Sequence, residues 1–250
     1  MKQAIVVVSF GTTFPQAMPA IEGIEQAVER RCGQKVFRAF TSKIVRRRLW
    51  ERDHIAIPDP HTLFTDLTAQ GYLSILCLTT HVIPGIEYET LLADAAAFPQ
   101  VHIAKPLLWA QSDYTTCVHA VMQSIPPRRD GEALILMGHG TEHFANAAYC
   151  QLEHTFRTQG YANVYVGTVE GYPALEHIIP QLQASGTKKI MLMPFMIVAG
   201  DHARNDLSGP EPDSWKSQLE AHGFLTRTVL RGLGEIPAIA DKFAGHLDML

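Results

Sequence analysis

Three residues with lone pairs suited to a metal ion occupy matching places in the second half of the chain. His139 follows the apolar run Ala133–Met137, Glu170 follows Val164–Thr168, and His202 sits in the Gly200-Asp201-His202 turn after Lys189–Met193. Each run reads as a buried strand. Strands that neighbour one another in a parallel sheet have adjacent carboxyl ends, so an imidazole, a carboxylate and a second imidazole can converge on one point. Two histidines and a glutamate suit a borderline divalent ion such as Co2+, Ni2+, Fe2+ or Zn2+, and three protein ligands leave positions open for a substrate. A lone histidine after a strand is ordinarily a loop residue with one hydrogen bond. The coincidence at three successive strand ends is what points to a site.

Other groups at strand ends could hold the substrate. Lys43-Ile44-Val45-Arg46-Arg47-Arg48 is the densest basic cluster. Helical spacing lets only some of these residues face one way, and Arg47 reads as solvated. Lys43, Arg46 and Arg48 are the candidates for pairing with substrate carboxylates, which the guanidinium fork fits well. Phe10, Thr12, His81 and Glu87 join them as candidate substrate contacts at the strand ends of the first half. Phe10 and Phe195 could wall a flat ligand, although an aromatic residue at a strand end is more often core. His139-Gly140-Thr141-Glu142-His143 also fits the H-x-x-E-H pattern of inverted zinc proteases. That motif works only on a helix, and here His139 leaves a strand and is followed by glycine, so a protease is disfavoured.

The elements that must position these groups alternate between β-branched runs and helical patterns, the mark of a parallel α/β fold. Expected strands are Ala4–Phe10, Lys35–Phe40, Leu73–Leu78 and Val101–Ala104, then Ala133–Met137, Val164–Thr168, Lys189–Met193 and Leu225–Val229. Met18, Ile21, Ile24 and Val28 recur at helical spacing with Glu22, Glu25 and Glu29 opposite. Pro60 and Pro173 are expected in the first turns of helices.

Ile125-Pro126-Pro127-Arg128-Arg129-Asp130-Gly131 interrupts the pattern as a linker. Its two sides look alike. Val6–Thr12 parallels Ile135–Thr141, and His81–Glu87 parallels Met196–His202, in the same order. This indicates an internal duplication of about 120 residues. The expected architecture is therefore two similar α/β domains, 1–125 and 132–250, each a parallel sheet flanked by helices, with the last helix free to pack on the first domain. Two such domains facing each other would form a cleft at the carboxyl ends of their strands. Phe10, Ser42 or Lys43, and Glu87 hold the places of His139, Glu170 and His202 in the first half, so one half alone carries a full ligand set.

Composition sets limits on the rest. The 250 residues are 46% hydrophobic and 18% charged, enough to build an ordinary core. The net charge of −4 gives no general attraction to nucleic acid or to an anionic membrane. No apolar run approaches the roughly 20 residues needed to span a bilayer, and the N-terminal run reads as a first strand, not a signal peptide. Cys32, Cys77, Cys117 and Cys150 lack C-x-x-C spacing and are expected as buried free thiols of a cytoplasmic protein.

Met137–His143, Val169–Pro173, the specific Val198–Asp206 segment and His81–Glu89 together resemble the motifs of the class II chelatases. Within these, the anaerobic cobaltochelatases of cobalamin synthesis are the nearest match. The resemblance runs over essentially the whole chain, with Pro84 departing from the asparagine of the family pattern. It implies a two-domain chelatase fold, His139, Glu170 and His202 as metal ligands, and His139 as a proton acceptor. It also implies sirohydrochlorin or precorrin-2 as the tetrapyrrole substrate and Co2+ as the inserted ion, with no cofactor beyond that substrate metal. Nickel- and iron-inserting relatives share the fold, and some family members are homo-oligomers, which the resemblance therefore admits here. A protein that stores or delivers a metal or tetrapyrrole could use the same ligands, and turnover separates it from an enzyme. A protoporphyrin ferrochelatase would want a greasier pocket than the Lys43–Arg48 cluster suggests.

Overall fold

Apolar runs without polar alternation make strands that must be covered on both faces, and parallel sheets provide that cover through their crossover helices. The computed structural model describes residues 2–250. The first sheet contains β1 (Gln3–Ser9), β2 (Phe37–Phe40), β3 (Ser74–Thr79) and β4 (Val101–Ile103) in the order β2-β1-β3-β4. The second contains β5 (Glu132–Gly138), β6 (Val164–Thr168), β7 (Lys189–Pro194) and β8 (Leu225–Thr228) in the order β6-β5-β7-β8. All pairings are parallel. Every strand expected from the sequence is present, with ends moved by a residue or two.

Among the described residues eight helices connect the strands, α1 (Met18–Cys32), α2 (Lys43–Asp53), α3 (Pro60–Ala69), α4 (Ile86–Ala95), α5 (Gln111–Ser124), α6 (Ala147–Thr158), α7 (Leu175–Ala184) and α8 (Trp215–Ala221), and a ninth, α9 (Pro237–Gly245), follows the last strand. The central strands carry the core. Val6, Val7 and Val8 of β1 and the whole of β5 are buried, and each such aliphatic side chain contributes about 1.5–3 kcal/mol. Two compact units result. One runs to Trp109 and takes in Pro237–Leu250; the other is Ala110–Ile236. Helix α9 packs on α1, where Arg30 pairs with Asp241 at 3.8 Å and Arg31 with Asp248. None of the described helices is long and apolar enough to cross a membrane.

The duplication inferred from sequence extends to the hydrogen bonds of the loops. After β1, the Thr12 hydroxyl accepts from Phe14 N–H at 3.1 Å; after β5, the Thr141 hydroxyl accepts from His143 N–H at 3.1 Å. Each turn runs into a 3₁₀ segment, Pro15–Ala17 or Phe144–Asn146. Gly11 and Gly140 both take left-handed φ values, +97° and +84°. A Cβ at either would strike the last residue of the neighbouring strand, Phe40 or Thr168. Ser42 N–H donates to Phe10 carbonyl, as Glu170 N–H does to His139 carbonyl. The counterpart of Glu170 is therefore Ser42, which resolves the choice between Ser42 and Lys43.

Two expectations are corrected. Helix α7 has Ala174 as its N-cap, so Pro173 precedes the helix and does not occupy its first turn. Its carbonyl instead accepts from Thr168 N–H at 2.7 Å, turning the loop back onto β6. All four cysteines are free, but only Cys77 and Cys117 are buried. Cys150 is exposed on α6, where Ala148, Tyr149 and Leu152 take the inner face, and Cys32 is half-buried at the end of α1.

Candidate metal centre

In the second sheet β5 lies between β6 and β7, so the residues following these strands must be neighbours. The chain leaves β5 for β6 on one side and then returns past β5 to β7 on the other, placing the switch point of the sheet between β5 and β7. Open α/β sheets bind ligands at such points, beyond the carboxyl ends of the strands. His139 and His202 straddle this one, and Glu170 flanks His139 on the β6 side. One ligand atom from each of His139, Glu170 and His202 lies within 4.8 Å of the others. The imidazole rings meet edge to face, centroids 4.7 Å apart, and Glu170 Oε2 is 3.8 Å from His139 Nδ1. Ligand atoms each about 2 Å from one tetrahedral ion would stand roughly 3.3 Å apart. Closing onto an ion therefore needs a contraction of up to about 1.5 Å, within the reach of exposed side chains by torsional adjustments.

The tautomers follow from the partners. His139 Nδ1 lies 3.0 Å from the Gly140 carbonyl, and His202 Nδ1 lies 2.6 Å from Asp206 Oδ2. A carbonyl or carboxylate oxygen only accepts, so both Nδ1 atoms carry the proton and both Nε2 lone pairs are left available. Asp206 stands four residues beyond His202 in the π-helical turn Ala203–Leu207, a form that recurs at functional sites. A carboxylate on the far nitrogen of a ligating imidazole fixes the ring orientation and its tautomer. Asp206→Ala is expected to lower Co2+ affinity by about 10–100-fold with the melting temperature nearly unchanged, as measured by calorimetric titration. Asp206→Asn, which retains an acceptor, should recover much of that loss.

The base of the His139 loop is fixed from below. Tyr149 on α6 is buried and its hydroxyl, pushed up to about 12 by burial, accepts from the backbone N–H groups of Gly140 and His139. Gly138 makes room for this ring, since a Cβ there would stand 2.3 Å from it. His143 is engaged differently from His139: its Nδ1 accepts from Ala145 N–H, capping the 3₁₀ turn. No helix spans His139–His143, so the geometry of the H-x-x-E-H protease motif is absent.

The other candidates lie in the first unit. Phe10 is 49% exposed after β1, and Glu87 is exposed in the first turn of α4. Thr12 is buried, with its hydroxyl used by the turn. The imidazole of His81 is packed inside; its Nδ1 meets Thr79 Oγ1 at 2.5 Å, and burial drives it down to about 4. Lys43 and Arg48 are exposed on α2, Arg48 beside Thr13, Glu51 and Arg52. Arg46 is tied to Asp59, the N-cap of α3, at 3.4 Å, with a side chain only 23% exposed. Phe195 is fully buried, so it belongs to the core and is not a wall for a ligand. Asp206, Tyr149 and Asn146 were not singled out from the sequence. Of these, Asp206 carried a readable signal, an acid four residues after a candidate ligand.

Two parallel sheets of matching order, with a His-Glu-His cluster beyond one of them, define a chelatase-type protein. The fold resembles SirB from Bacillus subtilis, solved with Fe3+, with a TM-score of 0.65 and 14% identity over 99% of this chain and 95% of that one. It also resembles CbiX, described as the terminal enzyme for biosynthesis of siroheme in denitrifying bacteria, at a TM-score of 0.57 and 17% identity over 98% of both chains. At these identities the likeness is one of fold. Residues 3–250 match the family described as Cobalt chelatase (CbiK), and the chain belongs to that family. Relatives include the sirohydrochlorin cobaltochelatase of Salmonella typhimurium, 38% identical over 99% of this chain and 96% of that protein. Another is the sirohydrochlorin cobaltochelatase CbiKC of Nitratidesulfovibrio vulgaris, 34% identical over 98% of this chain and 89% of that one.

Proposed function

We propose that this protein is a sirohydrochlorin cobaltochelatase, in which His139, Glu170 and His202 hold Co2+ and pass it to the four ring nitrogens. The observation that carries the reading is the convergence of these three side chains within 4.8 Å at the switch point of the second sheet. The full-length relatives of the same named activity support it. Insertion exchanges two pyrrole N–H protons for the metal, so the site must give up an ion and take up protons. His139 can do both with one atom. Its Nδ1 is committed to the Gly140 carbonyl, leaving Nε2 either to bind the ion or to accept a proton. When a ring nitrogen displaces Nε2 from the metal, that lone pair becomes free for the ring proton. Glu170 offsets part of the ion's charge and is placed to receive the second proton once it is released. A three-ligand set binds loosely enough to be displaced, which the reaction requires because the protein must lose the metal.

Co2+ is the favoured ion, with Ni2+ or Fe2+ within reach of the same donors. The substrate's eight carboxylates call for local cations, since the chain is net negative. Lys43 and Arg48 are exposed enough for that work, whereas Arg46 is spent on Asp59. Free thiols agree with a reducing compartment, and we place the reaction in the cytoplasm. The test is an anaerobic absorbance assay of purified protein with sirohydrochlorin and Co2+, Ni2+ or Fe2+. Many macrocycles metallated per chain, fastest with Co2+, is the expected result. Stoichiometric binding without turnover would make the protein a carrier.

A further inference from the structure

We infer that Asn146 is a positioning residue that clips the His139 loop to the Glu170 loop and so sets the spacing of two metal ligands. Its Oδ1 accepts from Thr141 N–H at 3.0 Å, two residues beyond His139. Its Nδ2 donates to the Tyr172 carbonyl, two residues beyond Glu170. The amide orientation is dictated by these partners, because an N–H must meet oxygen and a carbonyl must meet N–H. The fit is close: a Cβ on Gly171 would stand 2.9 Å from Asn146 Oδ1. The Glu170 N–H to His139 carbonyl bond at 2.8 Å joins the same two loops on the strand side, so the loops are tied at the two ligand residues themselves and again two residues beyond each.

The first half of the chain serves as an internal control. It has the same threonine turn, the same left-handed glycine and the same backbone bond between its loops, Ser42 N–H to Phe10 carbonyl. The last residue of its 3₁₀ turn is Ala17, where the second half has Asn146. The backbone ties alone therefore suffice to build these loops. The amide clip accompanies the half whose strand ends carry histidine and glutamate.

This inference rests on the metal-site reading above, and a thermodynamic cycle separates the two. Co2+ binding would be measured by calorimetry on the full chain as wild type, Asn146→Ala, Glu170→Ala, the double variant, and His139→Ala. Asn146→Ala is expected to weaken Co2+ binding by about 10–100-fold, to raise the apparent KM for Co2+, and to leave the KM for sirohydrochlorin unchanged. The Co2+ d–d spectrum of Asn146→Ala should shift toward that of Glu170→Ala. The double variant should bind within about twofold of Glu170→Ala, because a clip that acts through Glu170 has no donor left there to position. Should Asn146→Ala fold poorly, Asn146→Ser, too short to reach both loops, replaces it in the same cycle. Wild-type Co2+ affinity in the Asn146 variant, or losses that simply multiply, would overturn the clip while His139→Ala remained inactive. Retention of Co2+ binding and turnover by His139→Ala would overturn the metal-site reading and the clip with it.

Discussion

His139→Ala and His202→Ala are each expected to lower kcat/KM for Co2+ insertion by about 10²–10³-fold, a loss near 3–4 kcal/mol in transition-state stabilisation. Each variant removes one of the three proposed donors; in His139→Ala, Asp206 stays bonded to His202, and in both variants His143 stays engaged in capping the 3₁₀ turn. Folding should survive. Both side chains are substantially exposed, 46% for His139 and 33% for His202, and they stand on loops beyond strands whose own residues supply the core. Glu170→Gln separates the two roles of the carboxylate. The amide retains the shape and an oxygen donor, but loses the charge and the capacity to take a proton. If Glu170 is only a ligand, the loss should track Co2+ affinity and vanish at saturating metal. If it also accepts a proton, kcat itself should fall and its pH profile should lose a limb. Near-normal insertion by either histidine variant, measured at saturating sirohydrochlorin, would remove the assigned site.

The three proposed ligands could be grouped from the sequence for a topological reason. In a parallel sheet, consecutive crossovers return each strand in the same direction, so residues just past three successive strands fall on one edge. His139, Glu170 and His202 could be grouped from strand recognition alone, and β6 even matches its expected limits. What holds them in place was harder to see. Asn146 reaches a carbonyl 26 residues away, and Tyr149 on α6 accepts from N–H groups at the end of β5. Neither contact leaves a periodic or compositional trace, because each joins a side chain to a backbone group of unspecified residue type. The partner of Arg46 was out of reach for a related reason. Arg46 belongs to the basic cluster by sequence, yet its partner Asp59 sits at the start of the next helix, which no spacing rule within α2 announces. Cys150 was expected to be buried from its apolar surroundings, but on a helix the face decides, and Tyr149 takes the inner one.

The His81 imidazole is expected to make the first unit acid-labile between about pH 6.5 and pH 4. Burial pushes this group down to about 4 in the folded chain, whereas an unfolded histidine titrates near 6.5. Between those values the unfolded state binds a proton that the native state refuses, so stability falls as the pH falls through this window. Above about pH 6.5 both states are neutral and the term vanishes; below about pH 4 both are charged and the loss is complete. The difference corresponds to about 3 kcal/mol, an upper figure because the buried site can relax around the charge. The structural basis is specific. Nδ1 meets Thr79 Oγ1, while Nε2 is buried without a hydrogen-bond partner among the described residues, so a second N–H on the ring would be poorly satisfied. Other groups titrate over the same range, and a comparison with His81→Asn removes their contribution, since asparagine can place a polar atom near Nδ1 but does not ionise. Urea unfolding of both proteins at pH 7.5, 5.5 and 4.5 should show the wild type losing about 2–3 kcal/mol more than the variant across the series. A stability difference that stayed flat with pH would mean that the imidazole is hydrated and charges as freely in the folded chain as in the unfolded one.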